Sequence, residues 1–190
     1  SVIAGTPAAI TLAPLTSTVA ASGTVGYSVA VFDAYGNSPS GQSVIWTTNP
    51  NAVQSTVAGA LTATIRADTR AASYARAVTA TLSGFPAINA SAGLTIQALG
   101  VASVAVSPPT RAVSPSVSVA LSAVARDSFG NVLVEDFNWS VSGGSTSPGN
   151  PVSAVTYTPP TVARAYYITA TAQSNGAVRG TAIVTVTPGN

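Results

Sequence analysis

The sequence contains no cysteine, histidine or methionine, and all seven of its basic residues are arginine, so lysine is absent as well. These absences exclude disulfide bonds, thiolate and imidazole metal sites, cysteine nucleophiles and histidine general bases. A serine–histidine triad, a serine–lysine dyad and a lysine Schiff base are excluded for the same reason. We therefore expect no enzymatic activity and no cofactor.

Acidic residues are also scarce, at five in 190 residues. Only Glu135 and Asp136 are adjacent in the chain. Neighbouring residues of a strand point to opposite faces of the sheet, so this pair is a poor candidate for the two carboxylates of a glycosidase. The carboxylates therefore leave the expectation of a non-enzymatic protein unchanged.

Charge of either sign is rare, because charged residues make up only 6% of the chain while hydrophobic residues make up 46%. Disordered chains combine low hydrophobicity with high net charge, so this composition indicates a folded protein. A net charge of +2 spread along the chain is too weak to neutralise the roughly 6–10 phosphates that a typical DNA-binding protein contacts. We expect no nucleic-acid partner.

Long apolar runs are missing, since Ser, Thr, Gly or Pro interrupts every stretch well before the roughly 20 residues that span a bilayer. We expect no membrane span. No charged segment followed by an apolar one opens the chain at Ser1, so no signal peptide is expected and the sequence is interpreted as a mature or excised fragment.

An internal repeat organises the sequence. The segment Tyr27–Asn37 matches Leu121–Asn131, and the second copy follows the first by 94 positions. Five residues recur in order in both copies: an aspartate, an aromatic residue, a glycine, an asparagine and a tryptophan. They are Asp33, Tyr35, Gly36, Asn37 and Trp46 in the first copy and Asp127, Phe129, Gly130, Asn131 and Trp139 in the second.

Each copy has the period-two alternation of half-buried strands, with frequent glycine and proline between them. About seven short antiparallel strands per copy predict a sandwich of two sheets. We expect an all-β protein of two modules, residues 1–99 and 100–190, with the boundary near Leu99–Gly100. A helix over Val57–Ala72 is an alternative, although its threonines favour a strand and a turn.

Both copies resemble the bacterial immunoglobulin-like domains, in particular the tandem domains of invasin- and intimin-type adhesins. The resemblance rests on Val31–Asn37 followed by Val44–Trp46, and on Val124–Asn131 followed by Phe137–Trp139. It implies immunoglobulin-like sandwiches, which occur as rods on bacterial surfaces, as accessory modules of secreted enzymes and in phage tail or capsid proteins. The resemblance implies no catalytic site.

The aspartate–asparagine pairs admit two interpretations. Asp127 and Asn131, with Glu135 and Asp136 nearby, are weak candidates for a calcium site, because calcium prefers oxygen ligands. The favoured interpretation is a structural turn in which the aspartate accepts backbone N–H groups and the glycine takes a positive φ. In that interpretation the aromatic residue before the glycine covers the edge of the core. We therefore expect no metal site.

The large aromatic residues divide into core and surface candidates. Equivalent strand positions predict that Trp46 and Trp139 lie between the sheets, although an exposed tryptophan could stack on a sugar. Tyr74, Tyr166 and Tyr167 are the candidate surface-contact residues. Tyr166 and Tyr167 are adjacent on one strand, so one of the two is expected to point outward.

These observations predict a non-enzymatic structural or adhesive protein, located extracellularly or at the cell surface, in which docked modules form part of a rod, filament or surface layer. Its expected partners are other copies of itself or neighbouring immunoglobulin-like modules. The alternative is a module that binds a surface glycan or receptor, on a phage tail, another virion protein or a secreted hydrolase. A third hypothesis is a fibre subunit that donates Ser1–Pro14 as a strand to a neighbour.

Overall fold

The computed structural model describes residues 5–188, so the first four positions, where the signal-peptide and strand-donor hypotheses partly fall, lie outside the described residues. Regular structure in this range consists of strands. No helix among the described residues is long and apolar enough to cross a membrane. The chain divides into two compact units, the first ending at Ala98 and the second beginning at Leu99, one residue before the expected boundary. We call them module 1 and module 2.

Module 1 contains eight strands arranged in two four-stranded sheets. One sheet has the order β1-β3-β6-β5 and the other has the order β2-β8-β7-β4. The strands are β1 (Pro7–Ala13), β2 (Thr16–Ala20), β3 (Thr24–Asp33), β4 (Val44–Thr48), β5 (Val53–Ala58), β6 (Thr62–Ala67), β7 (Ala72–Leu82) and β8 (Asn89–Gln97).

Module 2 repeats this plan with nine strands. One sheet has the order β10-β17-β16-β13, and the other has the order β12-β11-β15-β14 with β9 paired to β11. The strands are β9 (Ser103–Ser107), β10 (Thr110–Val113), β11 (Val119–Arg126), β12 (Val132–Leu133), β13 (Phe137–Val141), β14 (Ser145–Ser147), β15 (Ala154–Thr158), β16 (Ala165–Ala172) and β17 (Arg179–Val186).

Alternation of side chains builds the core of each module. In β11 the buried residues are Val119, Leu121, Ala123 and Ala125, while the residues between them are exposed. The same period of two follows from the pleat of any strand with one buried face. The predicted all-β fold is therefore confirmed, with two sheets in each module.

One detail of the predicted fold was wrong, because each module contains a parallel pair of strands as well as antiparallel ones. After Pro14 and after Pro108, each preceded by a cis peptide bond, the chain leaves the sheet that holds its first strand. It continues as β2 beside β8, and as β10 beside β17, and in both cases the neighbours run in the same direction. The chain thus forms two strands, one in each sheet, where a single first strand was predicted. This raises the number of strands in each module above seven.

Two further expectations are settled by the pairing of strands. The stretch Val57–Ala72 is not helical, since it contains the end of β5 and all of β6, which pair antiparallel. The strand-donor hypothesis for Ser1–Pro14 is wrong for its described part, because β1 pairs with β3 of its own module. Residues 7–13 are therefore already used to complete their own sheet.

Candidate functional site

The first candidate site is the loop that follows β3, residues 33–37, which we call the Asp loop of module 1. The Asp33 carboxylate accepts hydrogen bonds from the N–H groups of Tyr35 at 2.9 Å and Asn37 at 2.8 Å, and from the Asn37 side-chain amide at 3.0 Å. A further bond comes from the N–H of Gly5, 28 positions earlier, at 2.8 Å. Gly36 has a φ of 81°, which permits the turn.

The Asp loop of module 2, residues 127–131, repeats this geometry. Asp127 accepts bonds from the N–H groups of Phe129 and Asn131, both at 2.9 Å, and from the Asn131 side-chain amide at 2.8 Å. The N–H of Leu99 donates to Asp127 at 2.9 Å, again from 28 positions earlier. We call the bonds from Gly5 and Leu99 the anchor bonds, because each ties the segment before a module's first strand to the Asp loop.

Both aspartates are buried, with exposed fractions of 5% for Asp33 and 3% for Asp127. The anchor bond from Gly5, together with the Asn37 side chain and the other N–H donors, holds the pKa of Asp33 well below its usual value. Burial raises the pKa of Asp127, but the bonds from Asn131, Leu99 and Phe129 together outweigh it and lower the pKa overall. Each aspartate is therefore stabilised as a carboxylate.

The aromatic residue of the loop was predicted wrongly. Tyr35 has 90% of its surface exposed and Phe129 has 45%, so neither closes the edge of the core. The four donors to each aspartate fix the loop, and the aromatic side chain is then directed outward from it. The period-two pattern of a strand could not have shown this, because the residue lies in a turn.

The two tryptophans make equivalent hydrogen bonds but differ in burial. The Trp139 indole N–H donates to the carbonyl of Val152 at 3.0 Å, and the Trp46 indole N–H donates to the carbonyl of Gly59 at 3.2 Å. In both cases the acceptor follows the tryptophan by 13 positions. Trp139 is buried in the core of module 2, whereas Trp46 is only half-buried.

Of the calcium candidates, the structure brings Asp127 and Asn131 together through hydrogen bonds, but it does not gather the three acidic candidates into one group. The carboxylate of Asp127 is occupied by N–H donors. Glu135 instead accepts bonds from the N–H and the hydroxyl of Ser174, at 2.8 Å and 2.7 Å, and the Ser174 hydroxyl is the main reason that the pKa of Glu135 is lowered. Residues 5–188 contain no group of three or more acidic, histidine or cysteine side chains that could hold a metal ion.

The three surface-contact candidates occupy different environments. Tyr166 is only 1% exposed, so its assignment as a surface residue was wrong. Its ring lies in the core, its hydroxyl donates to the carbonyl of Val162, and the Arg164 guanidinium lies 4.7 Å from the ring centre. Tyr167 points outward and is 53% exposed. Tyr74 is half-buried.

Two shallow depressions lie near Tyr74 and Tyr167, each along the sheet that contains the parallel strand pair of its module. In module 1 a depression of about 470 Å³ is lined by Tyr74, Leu15 and Gly93, together with both apolar and small polar residues of the same strands. In module 2 a depression of about 490 Å³ is lined by Thr110, Arg111, Ala112, Ile183 and Thr185, and Tyr167 pairs with Ile183 across the strands. These surfaces offer contact area but no reactive group.

The sequence and the structure of the chain were compared with those of known proteins, and only the structure has similar counterparts. No family model and no curated protein matches the sequence. Among solved structures, invasin, described as a bacterial integrin-binding protein, is similar with a TM-score of 0.56 and 17% identity, over 97% of this chain and 41% of its own. The Escherichia coli adhesin FdeC has a TM-score of 0.52 and 19% identity, over 98% of this chain and 67% of its own.

The D00–D0 domain of intimin is also similar, with a TM-score of 0.50 and 10% identity, over 94% of this chain and 100% of its own. All three identities are low, so the likeness is one of fold. The chain spans less than half of the invasin chain. This chain therefore has the tandem immunoglobulin-like β-sandwich fold of bacterial adhesins such as invasin, intimin and FdeC.

Proposed function

We propose that this chain is a non-enzymatic spacer segment of an extracellular or cell-surface protein of the adhesin type. The observation that carries the proposal is the way the chain passes from module 1 to module 2. The carbonyl of Gln97 accepts a bond from the N–H of Ala21 within module 1, and the N–H of Leu99 donates the anchor bond within module 2. Only Ala98 lies between these two bonded residues, so the linker has almost no slack.

The chemistry of the side chains supports a structural function. The sequence lacks the histidine, cysteine and lysine that most general bases and nucleophiles require. The buried carboxylates, Asp33 and Asp127, accept hydrogen bonds from backbone N–H groups and from an asparagine side-chain amide. Such groups hold a loop in place but do not activate a substrate.

The fold of the three adhesins supports the proposed location and the proposed partners. In such a protein, repeated modules joined by short linkers would set the distance between a binding surface and the cell. We propose neighbouring immunoglobulin-like modules, or further copies of this chain, as the partners. The virion alternative gains no support from these similarities.

Small-angle X-ray scattering of the full chain tests the spacer function. A single compact globule of this length would have a radius of gyration of about 16 Å, and two modules joined end to end should exceed that clearly. A variant with a Gly-Ser insertion after Ala98 serves as the control, and we expect it to show a broader distribution of sizes. A wild-type value near that of a single globule would refute the proposal.

A second candidate function, recognition of a glycan or receptor, is favoured by the exposed Tyr167. Tyr167 is the strand partner of Ile183, and Ile183 is the strand partner of Thr110, so the three residues form a row on one face of the sheet. Aromatic rings with nearby hydroxyl groups suit the apolar faces of sugars. Pull-down on a panel of polysaccharides, with Tyr167→Ala as the test and Tyr35→Ala as the control, should show a loss of binding with the first variant alone.

A further inference from the structure

Strand β4 of module 1 lies at an edge of its sheet and pairs with β7 on its inner side. The N–H of Asn49, just after the strand, donates to the carbonyl of Ala77 in β7 at 2.9 Å. Backbone groups alternate in direction along a strand of an antiparallel pair, so the odd-numbered residues of β4 bond to β7. The even-numbered residues Val44, Trp46 and Thr48 therefore direct their N–H and carbonyl groups to the outer side.

The hairpin turn between β5 and β6 covers one end of this outer side. The carbonyl of Ala60 accepts a bond from the N–H of Val44 at 2.9 Å, and the carbonyl of Gly59 accepts the bond from the Trp46 indole. Within the described part of the chain, the backbone groups of Trp46 and Thr48 make no hydrogen bond to another residue. Two donors and two acceptors therefore remain unpaired on the outer side of β4.

The equivalent edge of module 2 is closed by a side chain. Asn150 follows Trp139 by 11 positions, and its amide bonds to both the N–H and the carbonyl of Trp139. The residue 11 positions after Trp46 is Val57, which has no polar side-chain atom and is 76% exposed. The same edge is therefore closed at its tryptophan in module 2 and open there in module 1.

Among the edge strands of module 1, β4 is the best suited to pair with another strand. Irregularities in register interrupt β1 and β5, and such irregularities protect an edge from pairing. β2 is regular, but three of its five residues are threonine or serine. β4 combines regular pairing with the exposed Ile45 and the half-buried Trp46. It also lacks charge and proline, two other devices that protect an edge.

The unpaired groups of β4 are complementary to themselves. When two β4 strands meet antiparallel with a twofold axis at Thr47, Trp46 of each copy lies opposite Thr48 of the other. Each such pair exchanges two N–H···O bonds, so all the unpaired groups of Trp46 and Thr48 are satisfied. The paired segment, Ile45–Asn49, ends before Val44, whose N–H is already bonded to the hairpin turn. A second copy therefore presents, by symmetry, the pattern of donors and acceptors that this edge requires.

We propose that the outer side of β4 in module 1 is a docking surface for β4 of a second copy of this chain, so that two sheets join into one. The proposal rests on the proposed function, in which further copies are partners, and it assigns their contact to module 1. Only Ile45–Asn49 pair, so the interface is small, below about 1,200 Å², and the dimer dissociates readily.

Cysteine crosslinking tests the contact and its register, because the sequence contains no cysteine of its own. With the twofold axis at Thr47, this residue faces itself in a pair without hydrogen bonds, where Cα atoms lie about 4.5 Å apart and a disulfide can form. Ile45 lies opposite Asn49 of the other copy, so the two Ile45 positions are about 13 Å apart. In a glutathione redox buffer, we expect Thr47→Cys to form about tenfold more covalent dimer than Ile45→Cys, or a still larger excess.

A second control lies at the equivalent position of module 2. Ser140, like Thr47, is exposed and directly follows the tryptophan of its strand, but there Asn150 closes the edge. Ser140→Cys should therefore form as little covalent dimer as Ile45→Cys. Equal yields from Thr47→Cys and either control variant would overturn the proposal.

A pair of lysine variants tests the contact without a covalent bond. Thr47→Lys places two like charges directly opposite each other in the dimer, whereas Ser140→Lys adds the same charge at the closed edge. In sedimentation equilibrium at low salt, we expect the dissociation constant to rise about fivefold or more for Thr47→Lys. It should stay within about twofold of wild type for Ser140→Lys. The difference should shrink at about 1 M sodium chloride, because salt screens the repulsion.

The outcomes separate this docking surface from the spacer function. If scattering shows an extended chain but the two lysine variants associate equally, the docking surface is wrong and the spacer function stands. If Thr47→Lys alone dissociates the dimer but the monomer scatters as a single globule, the spacer function is wrong and the docking surface stands. A wild-type chain that is monomeric at every concentration would overturn a second copy as the occupant, in favour of a strand from another protein. Circular dichroism establishes that each variant is folded.

Discussion

At the scale of single residues, each module buries one carboxylate and surrounds it with N–H donors. A buried charge is costly unless hydrogen bonds replace its water. Asp33 and Asp127 each receive four such bonds, of which one is an anchor bond from a distant part of the chain. The aspartate thus joins a local turn to the start of the module.

We expect Asp127→Asn to destabilise module 2 by about 2 kcal/mol, because the amide nitrogen that replaces one carboxylate oxygen cannot accept the bond from Leu99. Trp139 lies in the core of module 2, so its fluorescence in a Trp46→Phe background reports the denaturant midpoint of that module. Asp136→Asn is the matched control at an exposed carboxylate and should change the stability by less than about 0.5 kcal/mol. Equal effects of the two variants would contradict the anchor bond.

The carboxylates of Asp33 and Asp127, together with that of Glu135, determine the dependence of stability on pH. The pKa values of Asp33, Asp127 and Glu135 are lowered in the folded chain, so their stabilisation is complete above the unfolded values of about 4 and is lost as the pH falls through the folded values. The sequence has no histidine, so no side chain of ordinary pKa titrates between about pH 5 and 8. Calorimetry should give a constant Tm in that range and a decline below about pH 4. A Tm that rises on acidification would contradict this assignment.

At the scale of strands, a side chain substitutes for a missing strand at the edge of β13. The Asn150 amide accepts a bond from the N–H of Trp139 at 2.8 Å and donates one to its carbonyl at 2.9 Å. The bridge between Phe137 and Val152 continues this pairing. The exposed edge of β13 is thereby covered where the core tryptophan lies, which limits pairing with other chains.

Asn150→Ala should therefore lower the stability of module 2 by about 1–2 kcal/mol, since two bonds to β13 are lost. Asn138→Ala, on the exposed face of the same strand, is the control and should cost less than about 0.5 kcal/mol. Chemical denaturation followed by Trp139 emission measures both variants. If Asn138→Ala were as costly as Asn150→Ala, the amide bridge would not be what stabilises this edge.

At the scale of the whole molecule, the scarcity of charge determines how copies can meet. Only 6% of the residues are charged and the net charge is +2, so neither attraction nor repulsion between ions dominates an encounter. Exposed apolar side chains such as Val57, Val134 and Tyr167 supply contact area instead. Association between copies would then depend on apolar and hydrogen-bonding contacts.

We expect the average mass of the chain to rise with concentration and to be insensitive to salt, because ionic screening weakens only charged contacts. Sedimentation equilibrium at low salt and at 1 M sodium chloride measures this. Dissociation at high salt would show that the arginines mediate association. A constant monomer mass over the whole dilution series would remove further copies of this chain from the proposed partners.

The sequence was sufficient to predict the all-β fold, the repeat and the turn chemistry of the Asp loops, because alternation and turn preferences are local properties of the chain. It also indicated that one of Tyr166 and Tyr167 points outward. Only the tertiary structure decided which one, since that depends on how β16 faces the core of module 2.

The anchor bonds, the parallel pairs β2–β8 and β10–β17, and the outward position of Tyr35 were likewise decided by the tertiary structure. The anchor bonds and the parallel pairs join segments that are far apart in sequence, and the position of Tyr35 depends on a loop that an anchor bond holds. Gly5 and Leu99 meet aspartates 28 positions away, and nothing in a single strand's pattern specifies its neighbour. The local sequence fixes which side chains face inward, while long-range packing decides which backbone segments meet.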